Sequence, residues 1–159
     1  MIDESKNQLR LRVRWMIRRD IPEVLAIERE RFEFPWFEED FSLCLRQRNC
    51  TGIVAEVGDR VVGFAVYELN RLQLRILNFA VSSEFRKQGV GRQMVNWLSD
   101  GPHCHRIKTI VLDVRETNLG GQLFFRSMGF RAIAVVVDYY NDSAEDCYAM
   151  EYECRVNAP

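Results

Sequence analysis

The sequence predicts an α/β fold of the α+β kind, a mixed sheet with helices on its faces. Three observations carry this. Runs with strand spacing and runs with helical spacing follow one another as strand, two helices, three strands, helix, strand, helix, two strands. Two strand-to-strand links, Gly58-Asp59 and Asn70-Arg71, are short enough to be hairpins. A third feature is a strand that leads through a basic, glycine-containing loop directly into a helix.

Each element has its own signal. Residues 13–19 alternate apolar and basic side chains, as a short strand does. Asp20 is a candidate helix cap with Pro22 in the first turn, and Val24, Ile27, Glu28 and Arg31 follow at helical spacing. Phe34-Pro35-Trp36 breaks that helix, and 37–48 reads as a second one. The apolar runs 52–57, 61–69 and 72–81 are the three middle strands. Val90, Met94, Val95 and Leu98 mark the third helix, which stops at Gly101-Pro102. The β-branched run 107–114 reads as a buried strand. Residues 119–128 read as a helix closed by Gly129. The runs 131–138 and 147–153 complete the set, with the polar segment 141–146 between them.

The 159 residues suit one ordinary domain, expected over 13–155, with a flexible polar segment at 1–12. A net charge of -1 gives no global attraction to nucleic acid or anionic membrane, so neither is expected as a partner and any anion site must be local. No apolar stretch is long enough to span a bilayer, and the first residues lack the apolar middle of a signal peptide. The five scattered cysteines form no CxxC pair and read as free thiols of a reducing cytoplasm. His103-Cys104-His105 lacks the second ligand pair that zinc needs, so no metal is expected there, only a turn after Gly101-Pro102.

The local anion site is the loop Arg86-Lys87-Gln88-Gly89-Val90-Gly91-Arg92. Its glycines permit close backbone approach and positive φ. The helix that follows presents N–H groups without intrachain partners, which favour a phosphate. Arg86, Lys87 and Arg92 concentrate positive charge in an otherwise neutral chain. It is not a P-loop, because no Gly-Lys-Ser/Thr follows, and it lacks the third glycine of a dinucleotide fingerprint.

Asn78-Phe79-Ala80-Val81 ahead of this loop, Val111-Leu112-Asp113-Val114-Arg115-x-x-Asn118 after it, and Phe124-Phe125-x-Ser127-Met128-Gly129-Phe130 resemble the signature of the GNAT acetyltransferase superfamily. Ile27-Glu28, Phe34-Pro35-Trp36, Asp138-Tyr139-Tyr140, Glu145-Asp146 and Ala149-Met150 are similar to its bacterial ribosomal-protein-alanine N-acetyltransferase subgroup. The resemblance implies a mostly antiparallel sheet of about seven strands flanked by four helices. It implies acetyl-CoA as acyl donor, with direct attack by a neutral amine in a ternary complex.

The resemblance also implies roles. Phe79, Ala80 and Val81 would pair with the pantetheine arm. Arg86, Lys87, Gln88, Gly89, Val90, Gly91 and Arg92 would hold the pyrophosphate. Asn118 would reach the donor, cap its own helix, or do both. Asp113 stands where the subgroup has a glutamate base, one methylene longer. Phe125 stands where the subgroup has a tyrosine acid and has no proton to give, which leaves Tyr139, Tyr140 or solvent for that role. Phe34, Pro35, Trp36, Tyr139 and Tyr140 would flank a peptide groove, or the tyrosines would pack as an edge pair. Glu28 would meet a substrate's positive charge or lie solvated on a helix face. The expected substrate is a protein N-terminal α-amine, with a ribosomal protein as one target, and the enzyme itself is expected as a monomer or weak homodimer. A small-molecule amine acetyltransferase, a non-catalytic acyl-CoA-binding module and a plain structural domain are the competing readings.

Overall fold

A computed structural model describes residues 10–139 and 145–154. Among them seven strands form one sheet: β1 (Leu11–Trp15), β2 (Cys50–Val57), β3 (Arg60–Leu69), β4 (Gln73–Val81), β5 (Thr109–Arg115), β6 (Arg131–Val136) and β7 (Cys147–Glu153). Four α-helices accompany them: α1 (Ile21–Arg31), α2 (Glu38–Leu45), α3 (Val90–Asp100) and α4 (Leu119–Ser127). The spatial order is β1-β2-β3-β4-β5-β7-β6. Every neighbouring pair is antiparallel except β4 and β5. Element order and fold class are as the sequence predicts.

The predicted hairpins both form. Gly58 takes φ 60° in the tight turn between β2 and β3. Asn70 N donates to Gln73 O at 2.9 Å to close the next turn.

Two boundaries are corrected. The first strand ends at Trp15, not at Arg19, and Asp20 is the reason. Its carboxylate accepts from Ile17 N at 2.8 Å and takes a two-pronged ion pair from Arg14, at 2.8 Å on each oxygen. These bonds fold Arg18–Asp20 into a 3-10 turn. The carboxylate is thereby spent on that turn and makes no capping bond to α1. The second helix stops at Leu45, earlier than predicted, because Gln47 and Cys50 close successive turns that lead into β2.

The sheet carries an apolar core on each face. One packs Val90, Met94, Val95 and Leu98 of α3 and Phe125 of α4 against the strands. The other packs Val24, Leu25 and Ile27 of α1 and Phe41 of α2. Residues of β4 change sides between these cores. Leu74 and Ile76 belong to the α3–α4 side. The register to β3 then slips, Val66 opposite Asn78 but Tyr67 opposite Ile76, so Leu77 is an extra, bulged residue. Beyond it Ala80 lies on the α1–α2 side, while Phe79 and Val81 pack on the α3–α4 side. A one-residue bulge thus inverts which side chains of β4 face which helices.

His103 lies in the turn after α3. Its ring is 3.0 Å from the Tyr67 hydroxyl and packs edge-on against Trp15, Trp97 and Tyr67. It is a core-edge histidine with a hydrogen-bond partner. Burial, with Arg106 nearby, holds its pKa below the ordinary imidazole value.

Candidate active site

The site begins with a failure of pairing. β4 and β5 are hydrogen-bonded only from Gln73 opposite Thr109 to Ile76 opposite Leu112. Past that point β4 continues to Val81 along β3, and β5 continues to Arg115 along β7. The two strand ends part at the bulge, and a groove of about 1070 Å³ passes between them. Ends of parallel strands that part in this way are a recurrent place for ligands in α/β sheets.

On the α3–α4 side, the groove is lined by the glycine loop and an aromatic wall. Phe79, Ala80, Val81, Arg86, Lys87, Gly89, Val90, Gly91, Arg92, Asn118 and Phe125 all border it. The two glycines serve different needs. Gly89 takes φ 84° with open space around its missing Cβ, so its requirement is conformational. Gly91 has no positive φ, but a Cβ there would lie 2.9 Å from Phe124 Cζ, so its requirement is room. Lys87 also adopts φ 61°, and the two left-handed residues bend the loop under the first turn of α3. Helix α3 starts at Val90, so its unpaired N–H groups open on the groove beside three cationic side chains. Asn118 caps α4, its Oδ1 accepting from Gly121 N at 2.9 Å. Phe125 packs edge-to-face on Phe79 and Phe124, with centroids 5.3 and 4.9 Å away, and Phe79 and Phe124 lie tilted to each other at 5.7 Å.

The α1–α2 side is built of different chemistry. In β5, Ile110, Leu112 and Val114 face the α3–α4 core, so Asp113 and Arg115 face the other way. Asp113 Oδ2 sits 3.3 Å from Arg75 and accepts at 3.3 Å from the Tyr139 hydroxyl. The nearby Asp113 charge, with partial burial, raises the pKa of that hydroxyl and keeps its proton on. Arg115 pairs with Glu145 at 2.9 Å and lies over the Phe34 ring, 5.0 Å from its centroid. Thr117 adds a hydrogen bond to Glu145. Arg115 therefore ties the α1–α2 link to the β6–β7 link at one mouth of the groove.

Glu28 is not on a solvated face. It is 1% exposed, on the inner side of α1. Its carboxylate accepts from Trp36 N at 3.0 Å and from the Asn78 amide at 2.9 Å. Asn78 reaches it because the bulge turns that side chain toward α1. The Asn78 carbonyl oxygen in turn accepts from Phe79 N at 2.9 Å. Burial raises the Glu28 pKa above the usual carboxylate range, against those two hydrogen bonds.

The structure gathers Glu28, Phe34, Trp36 and Asp113 on the groove, and leaves Pro35, Gln88 and Tyr139 off its lining. Gln88 donates instead to Glu84 O at 3.1 Å. Tyr139 reaches the site through Asp113. Tyr140 lies outside the described residues. Sequence reasoning missed Arg75, Arg115 and the buried state of Glu28. Arg75 and Asp113 are 38 positions apart, and only the parallel register of β4 and β5 makes them neighbours.

A comparison with protein families matches residues 21–130 to the acetyltransferase (GNAT) family. The chain belongs to that family. It is an acetyl-CoA-dependent N-acetyltransferase. Among its relatives is the ribosomal protein bS18-alanine N-acetyltransferase of Escherichia coli, 27% identical over 133 residues, 82% of this chain and 89% of that one. An uncharacterized N-acetyltransferase of Methanocaldococcus jannaschii is 32% identical over 140 residues, 83% of this chain and 85% of that one. The crystal structure of the Escherichia coli ribosomal-protein-S18-alanine enzyme matches with a TM-score of 0.83 at 23% identity, covering 93% of this chain and 96% of that chain. No helix among the described residues is long and apolar enough to cross a membrane.

Proposed function

We propose that this acetyltransferase acetylates the N-terminal α-amine of a protein, with a ribosomal protein as one target. The observation that carries the reading is the Arg115 bridge. It holds Phe34 on one side and Glu145 on the other, so the two segments expected to grip a peptide share one mouth of the groove. Phe34 and Trp36 offer apolar contact there, and the exposed Glu33 adds negative charge suited to a basic N-terminal segment. The name of the Escherichia coli relative supports the same substrate class.

In this reading the acyl donor lies on the α3–α4 side. Arg86, Lys87 and residues 89–92 hold its pyrophosphate, the β4 edge at Phe79, Ala80 and Val81 holds its arm, and Asn118 and Phe125 flank it. The amine enters from the α1–α2 side past Phe34, Pro35 and Trp36, with Tyr139 and Tyr140 on the opposite link. Phe125 cannot deliver a proton to the leaving thiolate. We assign that role to Tyr139, which donates to Asp113 and keeps its proton.

The test is a substrate screen with acetyl-CoA as donor. Peptides beginning with alanine or serine should be acetylated, while a polyamine and an amino sugar should not. Turnover of the free amines without the peptides would overturn the peptide reading and leave a small-molecule acetyltransferase. Donor binding without turnover of either would leave a binding module.

A further inference from the structure

Besides the exposed Glu33, three carboxylates stand on the acceptor side of the groove, and two of these are charge-compensated. Asp113 has Arg75 at 3.3 Å, and Glu145 has Arg115 at 2.9 Å. Glu28 is held only by the neutral donors Trp36 N and Asn78 Nδ2, and among the described residues it has no cationic partner. A buried carboxylate without a counter-charge is costly unless a cation arrives or a proton is taken up. Glu28 also lies one residue from the strand edge where the thioester is expected, linked to Phe79 N through Asn78.

We infer that Glu28 is the group that receives the α-ammonium of the incoming chain and takes its first proton. This rests on the reading given under Proposed function and assigns a residue within it. The steps balance as follows. The ammonium docks against the Glu28 carboxylate as its missing counter-charge. One N–H proton passes to a Glu28 oxygen, leaving a neutral amine whose lone pair adds to the thioester carbonyl carbon. The C–S bond breaks with its electron pair on sulfur. The second nitrogen proton ends on that thiolate, by way of Tyr139 or water. The products are the amide, the free thiol and a protonated Glu28, which returns its proton to solvent.

The surroundings favour this exchange. The charged groups on the elements around Glu28 are Glu38, Glu39 and Asp40 on α2, Arg60 and Glu68 on β3, Arg75 on β4, Asp113 and Arg115 on β5, and Glu23, Arg29, Glu30 and Arg31 on its own helix. Of these, the one that acts on Glu28 is Asp40, and its negative charge adds to burial in making the carboxylate a stronger base.

The experiment is the pH dependence of kcat/KM for an alanine-starting peptide, wild type against Glu28→Gln. A bare α-amine has a pKa of about 7.7–8.0. If Glu28 takes the ammonium proton, wild-type kcat/KM stays level for some distance below that value and falls only as Glu28 protonates. The Glu28→Gln rate then tracks free amine, dropping about tenfold per pH unit below about 8, and lies roughly a hundredfold under wild type at pH 7. A second readout needs no turnover. With coenzyme A bound, wild type should bind the free-amine peptide more tightly than its N-acetylated form, and Glu28→Gln should lose that preference. Retained acetyl-CoA affinity and melting temperature show the variant is folded. A wild-type profile that already tracks free amine overturns the inference whether or not the variant folds. So does a variant with the wild-type profile and preference. Failure of wild type to acetylate any peptide instead overturns the substrate reading beneath it.

Discussion

At the scale of single residues, the clearest energetic claim concerns Asp20. Burial alone would push its carboxyl up, but the bonds from Arg14 and Ile17 N outweigh it and hold the pKa below the ordinary carboxylate value. A depressed folded-state pKa stabilises the fold above the unfolded pKa, and that stability is lost as pH falls through the folded value. Arg14→Met leaves Asp20 buried without its partner and should cost about 3 kcal/mol at neutral pH. The difference should shrink below about pH 4, where the carboxyl of the variant is neutral. Urea melts at pH 7 and pH 3 check both statements. Phe125 makes the second claim. It is 5% exposed, packed among Phe79, Phe124 and Phe130, and on the groove. Phe125→Tyr would supply a second proton donor beside the thiolate and should raise kcat about tenfold or more. An unchanged kcat in a folded Phe125→Tyr enzyme would mean that Tyr139 or solvent already suffices.

At the scale of elements, the glycine loop separates two kinds of constraint. Gly89→Ala meets no atom within 4 Å but must hold φ 84°, so it should cost about 1 kcal/mol of stability and loosen donor binding modestly. Gly91→Ala drives a methyl against the Phe124 ring and should move the aromatic wall, with a larger loss of donor affinity than of stability. Calorimetric titration of both variants with acetyl-CoA checks the order. The loop was readable from sequence because its signal is local: glycines, basic residues and the start of a helix sit within seven positions. The same holds for the hairpins and for Asn118 as a cap. Glu28 was not readable as a buried group, because helical spacing puts it on the α1 face without saying what covers that face. Its partner Asn78 is 50 positions away and faces it only because of the bulge at Leu77. The link from Arg75 to Asp113 was hidden for a like reason, since a parallel pairing leaves no turn signal.

At the scale of the whole molecule, the sheet acts as a partition. In the proposed reading, donor and acceptor approach from opposite faces and meet only where β4 and β5 part, so a ternary complex can form without either substrate displacing the other. Acetyl-CoA at a hundredfold excess over its Kd should stabilise the fold by about 2.7 kcal/mol. For a chain of 159 residues that is a rise in Tm of roughly 5–10 °C. Gly89→Glu with Gly91→Glu, in a protein that still melts cooperatively, should abolish the rise. No rise in wild type at millimolar acetyl-CoA would contradict the assignment of the loop.

The extra residue in β4 has a further consequence for how this chain tolerates change. Most insertions and deletions are absorbed in loops, and most strand substitutions alter one contact. Removing Leu77 would restore strict alternation: Asn78 would follow Ile76 directly, still opposite Val66 and still toward α1, with Phe79 still toward the α3–α4 side. What would go is the local kink, and with it the strand's reason to leave β5. A chain shortened by that one residue could keep its core composition and its hairpins, yet have a sheet without an opening. The opening is in this sense a counting property of the polypeptide, held by the one residue that β4 carries and its partner β3 lacks.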